Sequence, residues 1–215
     1  MDTFQSSLDI TFLHLSRTDA EVSSNGAYVR DVIERDLKAA GFNIANKIYA
    51  VYYDGRSTYA CGGGAWPPSL PGVVAALYLL GEPPGAPPCW TNEFASPNGP
   101  PGYLEFSMLH EILHTLGFVA TCAPHHTRSG HVSDSPQDLM YAGDDPWSPS
   151  VLDFGHDDYF MHGTPSCLDL AQNSFLGASG EITFIPELSP SASLAMSALG
   201  VTYALISFSR RKRRS

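Results

Sequence analysis

Glycine and proline constrain this chain more than any other feature: 19 and 17 of 215 residues, with no period. That content is too high for a helical bundle, and its irregular spacing excludes a collagen-like repeat. Seven prolines fall between Glu82 and Gly102, so that stretch is read as a loop. Regular structure is confined to a few segments around it. Asp9–Leu15 reads as a strand, and Val29, Val32, Ile33, Leu37 and Ala40 mark an amphipathic helix that starts near Ser23–Asn25 and stops at Gly41. Lys47–Tyr53 is a strand closed by Asp54-Gly55, and Val73–Leu80 is read as a second. Leu104–Leu116 is a helix with Phe106, Leu109, Leu113 and Leu116 on one face and Gly117 as its stop. Beyond it the chain is expected to be mostly irregular to about residue 185.

The formal charge of −10 is a sum of two unlike parts. Arg210, Arg211, Lys212, Arg213 and Arg214 end the chain and leave seven basic against 22 acidic residues before them, a net −15. A body of that sign excludes nucleic acid as a partner. Cys61, Cys89, Cys122 and Cys167 form no C-x-x-C pair, so an even, widely spaced set points to two disulfides in an exported protein. Of the three connectivities, Cys61–Cys89 with Cys122–Cys167 is favoured, because each closes a loop on one side of the second helix. The opening Met1-Asp2-Thr3-Phe4-Gln5 has neither a basic nor an apolar region of a secretory signal, and the expectation is a start lying upstream.

Chemistry enters with His110-Glu111-Ile112-Leu113-His114. On a helix, positions i and i+4 stand one above the other, so both imidazoles can reach one metal ion while Glu111 takes a proton from water beside it. Composition alone yields this pattern about 1% of the time in such a chain. With Thr115-Leu116-Gly117 the run resembles the H-E-x-x-H-x-x-G of metzincin metallopeptidases, and Asp138-Leu139-Met140-Tyr141 is similar to their Met-turn. The resemblance implies an α+β zinc metallopeptidase domain over residues 1–184. It has a small sheet, an active-site helix and a largely irregular C-terminal half. Its one catalytic Zn2+ is held by His110, His114 and a third ligand, Glu111 is its general base, and its substrate is a protein or peptide. The metzincin position for the third ligand is occupied by Ala120, which cannot bind metal. His131, then His125, then His126 are the donors considered in its place. The resemblance also offers Tyr141, and after it Tyr159, as a hydrogen-bond donor to the oxyanion. Tyr141 directly follows Met140 rather than standing two residues on, which favours a core role. The rival reading is a non-catalytic zinc-binding or surface interaction module.

Seven aspartates (134, 138, 144, 145, 153, 157 and 158) crowd one stretch. Clustered carboxylates suit Ca2+, but Asp153, Asp157 and Asp158 match no calcium loop, and a solvated acidic surface accounts for them. Cys61-Gly62-Gly63-Gly64 lacks the Lys-Ser/Thr of a phosphate loop and is read as a tight turn or a close backbone approach. At the end, Ile185-Pro186-Glu187-Leu188-Ser189-Pro190 precedes an apolar run over 192–208 and the basic cluster. This layout resembles PEP-CTERM sorting tails of exported bacterial proteins. It implies that residues 185–215 address the chain to a membrane or its sorting machinery, giving an exported, cell-surface or extracellular protein.

Overall fold

A computed structural model describes residues 10–44, 47–64, 74–91 and 102–173. The sorting-tail segment 185–215 and residues 92–101 of the proline-rich loop lie outside the described residues. The architecture is α+β. In chain order it comprises α1 (Asp19–Ser23), α2 (Val29–Ala39), β1 (Tyr49–Tyr53), β2 (Gly62–Gly63), β3 (Val74–Tyr78), α3 (Tyr103–Thr115), β4 (His126–Thr127) and β5 (His131–Val132).

The first sheet runs β1-β3-β2, with β1 parallel and β2 antiparallel to the central β3. Side chains of a strand alternate between faces, and all five residues of β3 are buried. Val74, Ala76 and Tyr78 join Val29, Val32, Ile33 and Leu37 of α2 in one cluster. Ala75 and Leu77 meet Met108 and Ile112 of α3 in another. The sheet is therefore sandwiched between α2 and α3. A third cluster, with Leu113, Phe118, Val132, Leu139, Met140 and Tyr159 at its centre, lies under the C-terminal end of α3. It is built almost wholly from irregular chain, as expected.

The strand expected over 9–15 is not formed across its described part, residues 10–15. Ile10 and Phe12 of this run are exposed. An alternating apolar run becomes a strand only by pairing, and none of the described strands adds to β1 here. The helix expected to run from near Ser23–Asn25 to Gly41 is α2, and a further short helix not expected from the sequence stands before it. A short α1, closed by a capping box in which the Glu21 N–H donates to Thr18 Oγ1 and the Thr18 N–H to the Glu21 carboxylate, precedes one 3-10 turn and then α2.

Both disulfides pair as favoured, Cys61–Cys89 and Cys122–Cys167. The second closes a 45-residue separation around the irregular half, which has little ladder bonding of its own. Replacing Cys122 and Cys167 together by Ser should lower stability by roughly 2–4 kcal/mol, measured by urea titration against the wild type under non-reducing conditions.

Candidate metal centre

α3 carries His110, Glu111 and His114 in the last two turns before its C-terminus. The helix ends in a Schellman turn. Gly117, at φ +99°, donates its N–H to the His114 carbonyl, and the Phe118 N–H reaches back to the Leu113 carbonyl. That reversal places the Phe118 carbonyl against His114, whose Nδ1 lies 3.1 Å from it.

The third histidine arrives on a hairpin. β4 and β5 pair antiparallel, and their turn is hooked to the chain leaving α3 by the Val119 N–H, which donates to the Gly130 carbonyl at 2.9 Å. β5 is held from its other side by residues 140–142: the Val132 N–H donates to the Met140 carbonyl and the Ala142 N–H to the Val132 carbonyl. His131, the first residue of β5, thereby faces α3. Its Nε2 lies 3.1 Å from His110 Nε2 and 3.2 Å from His114 Nε2, and the last pair is 3.1 Å apart.

Each Nδ1 points at a backbone carbonyl: His110 at Leu139 (2.7 Å), His114 at Phe118 and His131 at Arg128 (3.1 Å each). A carbonyl only accepts, so each Nδ1 carries the proton and each Nε2 presents a lone pair. A tetrahedral ion with metal–nitrogen bonds of about 2.0–2.1 Å holds its nitrogens about 3.3 Å apart. Three converging lone pairs at 3.1–3.2 Å fit that requirement, and the donor set is one that can hold a metal ion. Burial works in the same direction, by keeping the ligands neutral. It pushes His110 down to about 4, helped by His131 and opposed by the Leu139 carbonyl, and it lowers His114 and His131.

Glu111 lies against the glycine run. A Cβ on Gly62 would stand 2.5 Å from Glu111 Oε1. A Cβ on Gly64 would stand 2.4 Å from the Glu111 carbonyl oxygen and 2.5 Å from His114 Cβ. The Cys61–Gly64 run is thus the close backbone approach read from the sequence. Burial raises the Glu111 carboxyl to about 8, against the Gly64 N–H that stabilises its charge. Gly64→Ala forces the glycine run and the histidine-bearing turn of α3 apart, since both obstacles belong to the helix. It should cost about 1–3 kcal/mol and lower metal content together with thermal stability. A Tm and bound metal equal to wild type would contradict the packing described.

A cleft of about 700 Å³ opens over these groups, walled by Gly62–Gly64 on one side and by Tyr103, Tyr141 and Trp147 on the other. Tyr141 is buried to 7% exposure, and its hydroxyl accepts the Asp145 N–H. Tyr159 is not in the cleft lining. It is fully buried and donates its hydroxyl to Asp138, a core role.

His125 stands apart from the trio and is not brought to His110 and His114. Its backbone N–H donates to Asp158 Oδ1 at 2.7 Å and its Nδ1 lies 3.1 Å from Asp158 Oδ2. Its ligand atom clusters with those of Asp134, Asp157 and Asp158, all within 4.8 Å of one another. The Asp158 carboxylate is already satisfied by His125 there. Asp153 is not in this cluster: its Oδ2 accepts the Tyr159 and Phe160 N–H groups. His126 opens β4 and joins neither group. Sequence reasoning did not find the three carbonyls behind the imidazoles, nor Trp147, whose ring meets His110 edge-on with centroids 5.7 Å apart. Backbone acceptors leave no mark in a sequence, and Trp147 is 37 positions from its partner.

Fold and site together define an α+β protein bearing a three-histidine group able to hold a metal ion. No protein-family profile, no curated protein and no solved structure matches the chain.

Proposed function

We propose that this protein is a zinc-dependent metallopeptidase that hydrolyses peptide bonds, with His110, His114 and His131 as ligands and Glu111 as general base. The observation that carries the reading is the convergence of three Nε2 lone pairs at 3.1–3.2 Å beside a carboxyl in an open cleft. Imidazole donors of this number suit zinc with one position left for substrate or water. Zinc bound there would supply a Lewis acid that polarises the scissile carbonyl and acidifies water.

The chain's own part is positioning and proton transfer. The Nδ1–H contacts keep the three rings in register with no side-chain carboxylate involved. Burial would hold the Glu111 carboxyl protonated at neutral pH, whereas a cation held by neutral imidazoles next to it favours the carboxylate. As carboxylate it accepts a proton from the attacking water and delivers it to the leaving amine.

The rival reading as a non-catalytic module rested on Ala120, and it loses that support when His131 supplies the third donor from another element. Export is supported by the two disulfides. Membrane sorting through 185–215 rests on the sequence pattern alone. Among the described residues no helix is long and apolar enough to cross a membrane. The function is tested with a broad peptide library. Cleavage abolished by 1,10-phenanthroline and restored by zinc is the expected result. Stoichiometric zinc without cleavage of any peptide would overturn it in favour of a binding module or a hydrolase of another amide.

A further inference from the structure

Below the three histidines lies a carboxylate whose bond to Met140 leads toward one of them, His110. Asp138 is completely buried, and among the described residues no cation pairs with it. Its Oδ1 accepts the Met140 N–H at 2.6 Å and the Tyr159 hydroxyl at 2.9 Å, and its Oδ2 accepts the Phe154 N–H at 2.7 Å. The bond to Met140, two residues on, makes an Asx-turn that brackets the Leu139 peptide. The Leu139 N–H is tied as well, to the Val151 carbonyl at 3.1 Å. With both flanks fixed, the Leu139 carbonyl has one direction left, and it receives the His110 Nδ1–H at 2.7 Å. The carbonyl of Asp138 itself accepts Trp147 Nε1–H at 3.1 Å, which seats the indole edge-on against His110.

We infer that Asp138 is a positioning residue of the metal centre, setting the tautomer and ring plane of His110 through the Leu139 carbonyl and the Trp147 ring. The inference rests on the metal-centre reading and adds to it. Groups one step behind a metal-bound imidazole fix its tautomer and orientation, and their loss typically costs 10–100-fold in metal affinity. Here that outer role passes through a backbone carbonyl, and the carboxylate acts one step further back. All three partners of Asp138 are donors. Asp138→Asn therefore keeps the size but puts an NH2 against at least one N–H or O–H.

The test measures zinc affinity by chelator competition and the His110 tautomer by 15N-histidine NMR of the metal-free full chain. Asp138→Asn should bind zinc about 10-fold or more weaker, and His110 should pass from the Nδ1–H form to a tautomer mixture. Asp153→Asn is the structural control, since that buried carboxylate holds Tyr159 and Phe160 N–H groups in the same loop and bonds directly to neither Asp138 nor residues 139–140. It should lower Tm yet leave affinity within about threefold, less than the outer-group effect. Equal weakening by both variants, or unchanged affinity and tautomer in a folded Asp138→Asn, overturns the inference. If Asp138→Asn does not fold, Tyr159→Phe decides. It removes one bond to Oδ1 and should weaken zinc in the same direction, and an unchanged affinity and tautomer would count against Asp138. A wild type that binds no zinc would sink the metal reading alone, because the His110 tautomer still reports on Asp138.

Discussion

Glu111→Gln should abolish peptide cleavage, by roughly 10²–10⁴-fold in kcat, while the protein keeps a full equivalent of zinc. The amide has the size of the carboxyl and an oxygen that can still accept the Gly64 N–H, so the contact with the glycine run survives. It cannot take up a proton, and that is the one capacity removed. The ligands are untouched, since all three rings are held from behind by backbone carbonyls. Metal analysis beside a single-turnover cleavage assay separates the two effects. Cleavage at the wild-type rate by the zinc-loaded variant would assign the proton transfer elsewhere. The metal-free protein gives a second check. Burial raises the folded pKa of Glu111 above its unfolded value, so the stability this group contributes is complete below about 4.5 and is lost as pH rises through about 8. The amide of the Glu111→Gln variant does not titrate. The metal-free variant should therefore gain in Tm relative to wild type on going from pH 5 to pH 9.

The parts of this molecule that were legible in the sequence are those whose signal is local and periodic. β1 and α2 each bury a face repeated at strand or helix spacing, β3 is a short apolar run buried on both faces, and α3 buries Leu113 and Met108 but leaves Leu109 of its expected face exposed. Gly117 was legible as the stop of α3, because only a residue at ease with positive φ can close that turn. The run at 9–15 had the alternation, yet its described part, 10–15, is not a strand, because pairing is decided far from the segment itself. α1 carried a readable cue, Thr18 followed three residues later by Glu21, but at five residues it offers almost no periodicity. β4 and β5 are two residues each, too short for any pattern, and they matter because they deliver a ligand. The site divided along the same line. The α3 pair and Glu111 follow from helix geometry. Ranking His131 above His125 needed only the neighbouring Gly130 and the distance to Met140. Excluding His125 needed Asp158, 33 residues away.

His131→Ala should lose stoichiometric zinc on dialysis, and His125→Ala should retain it. The first removes one of three nitrogens that lie within 3.2 Å of one another, leaving a helical pair and solvent. That loss should exceed the roughly 10–100-fold produced by changes one step outside the ligands. The rest of the hairpin is expected to persist, since Val132 stays bonded to Met140 and Ala142 by backbone alone. His125→Ala strikes a different network. It strips one partner from the fully buried Asp158 carboxylate and leaves the backbone N–H in place, so it acts on stability. The hydrogen bond to Asp158, more than the surrounding charges, raises the folded pKa of His125 above the unfolded value. Its contribution is therefore complete below about 6.5 and is lost as pH rises through the folded value. The Tm gap between wild type and His125→Ala should be widest near pH 5.5 and narrow toward pH 9. With the side chain 40% exposed, the gap is discounted by solvent screening and should be small beside the metal effect. Zinc lost from His125→Ala and kept by His131→Ala would reverse the assignment of the third ligand. Zinc kept by both would mean that the helical pair alone binds the ion, and the three-histidine centre would fall with it.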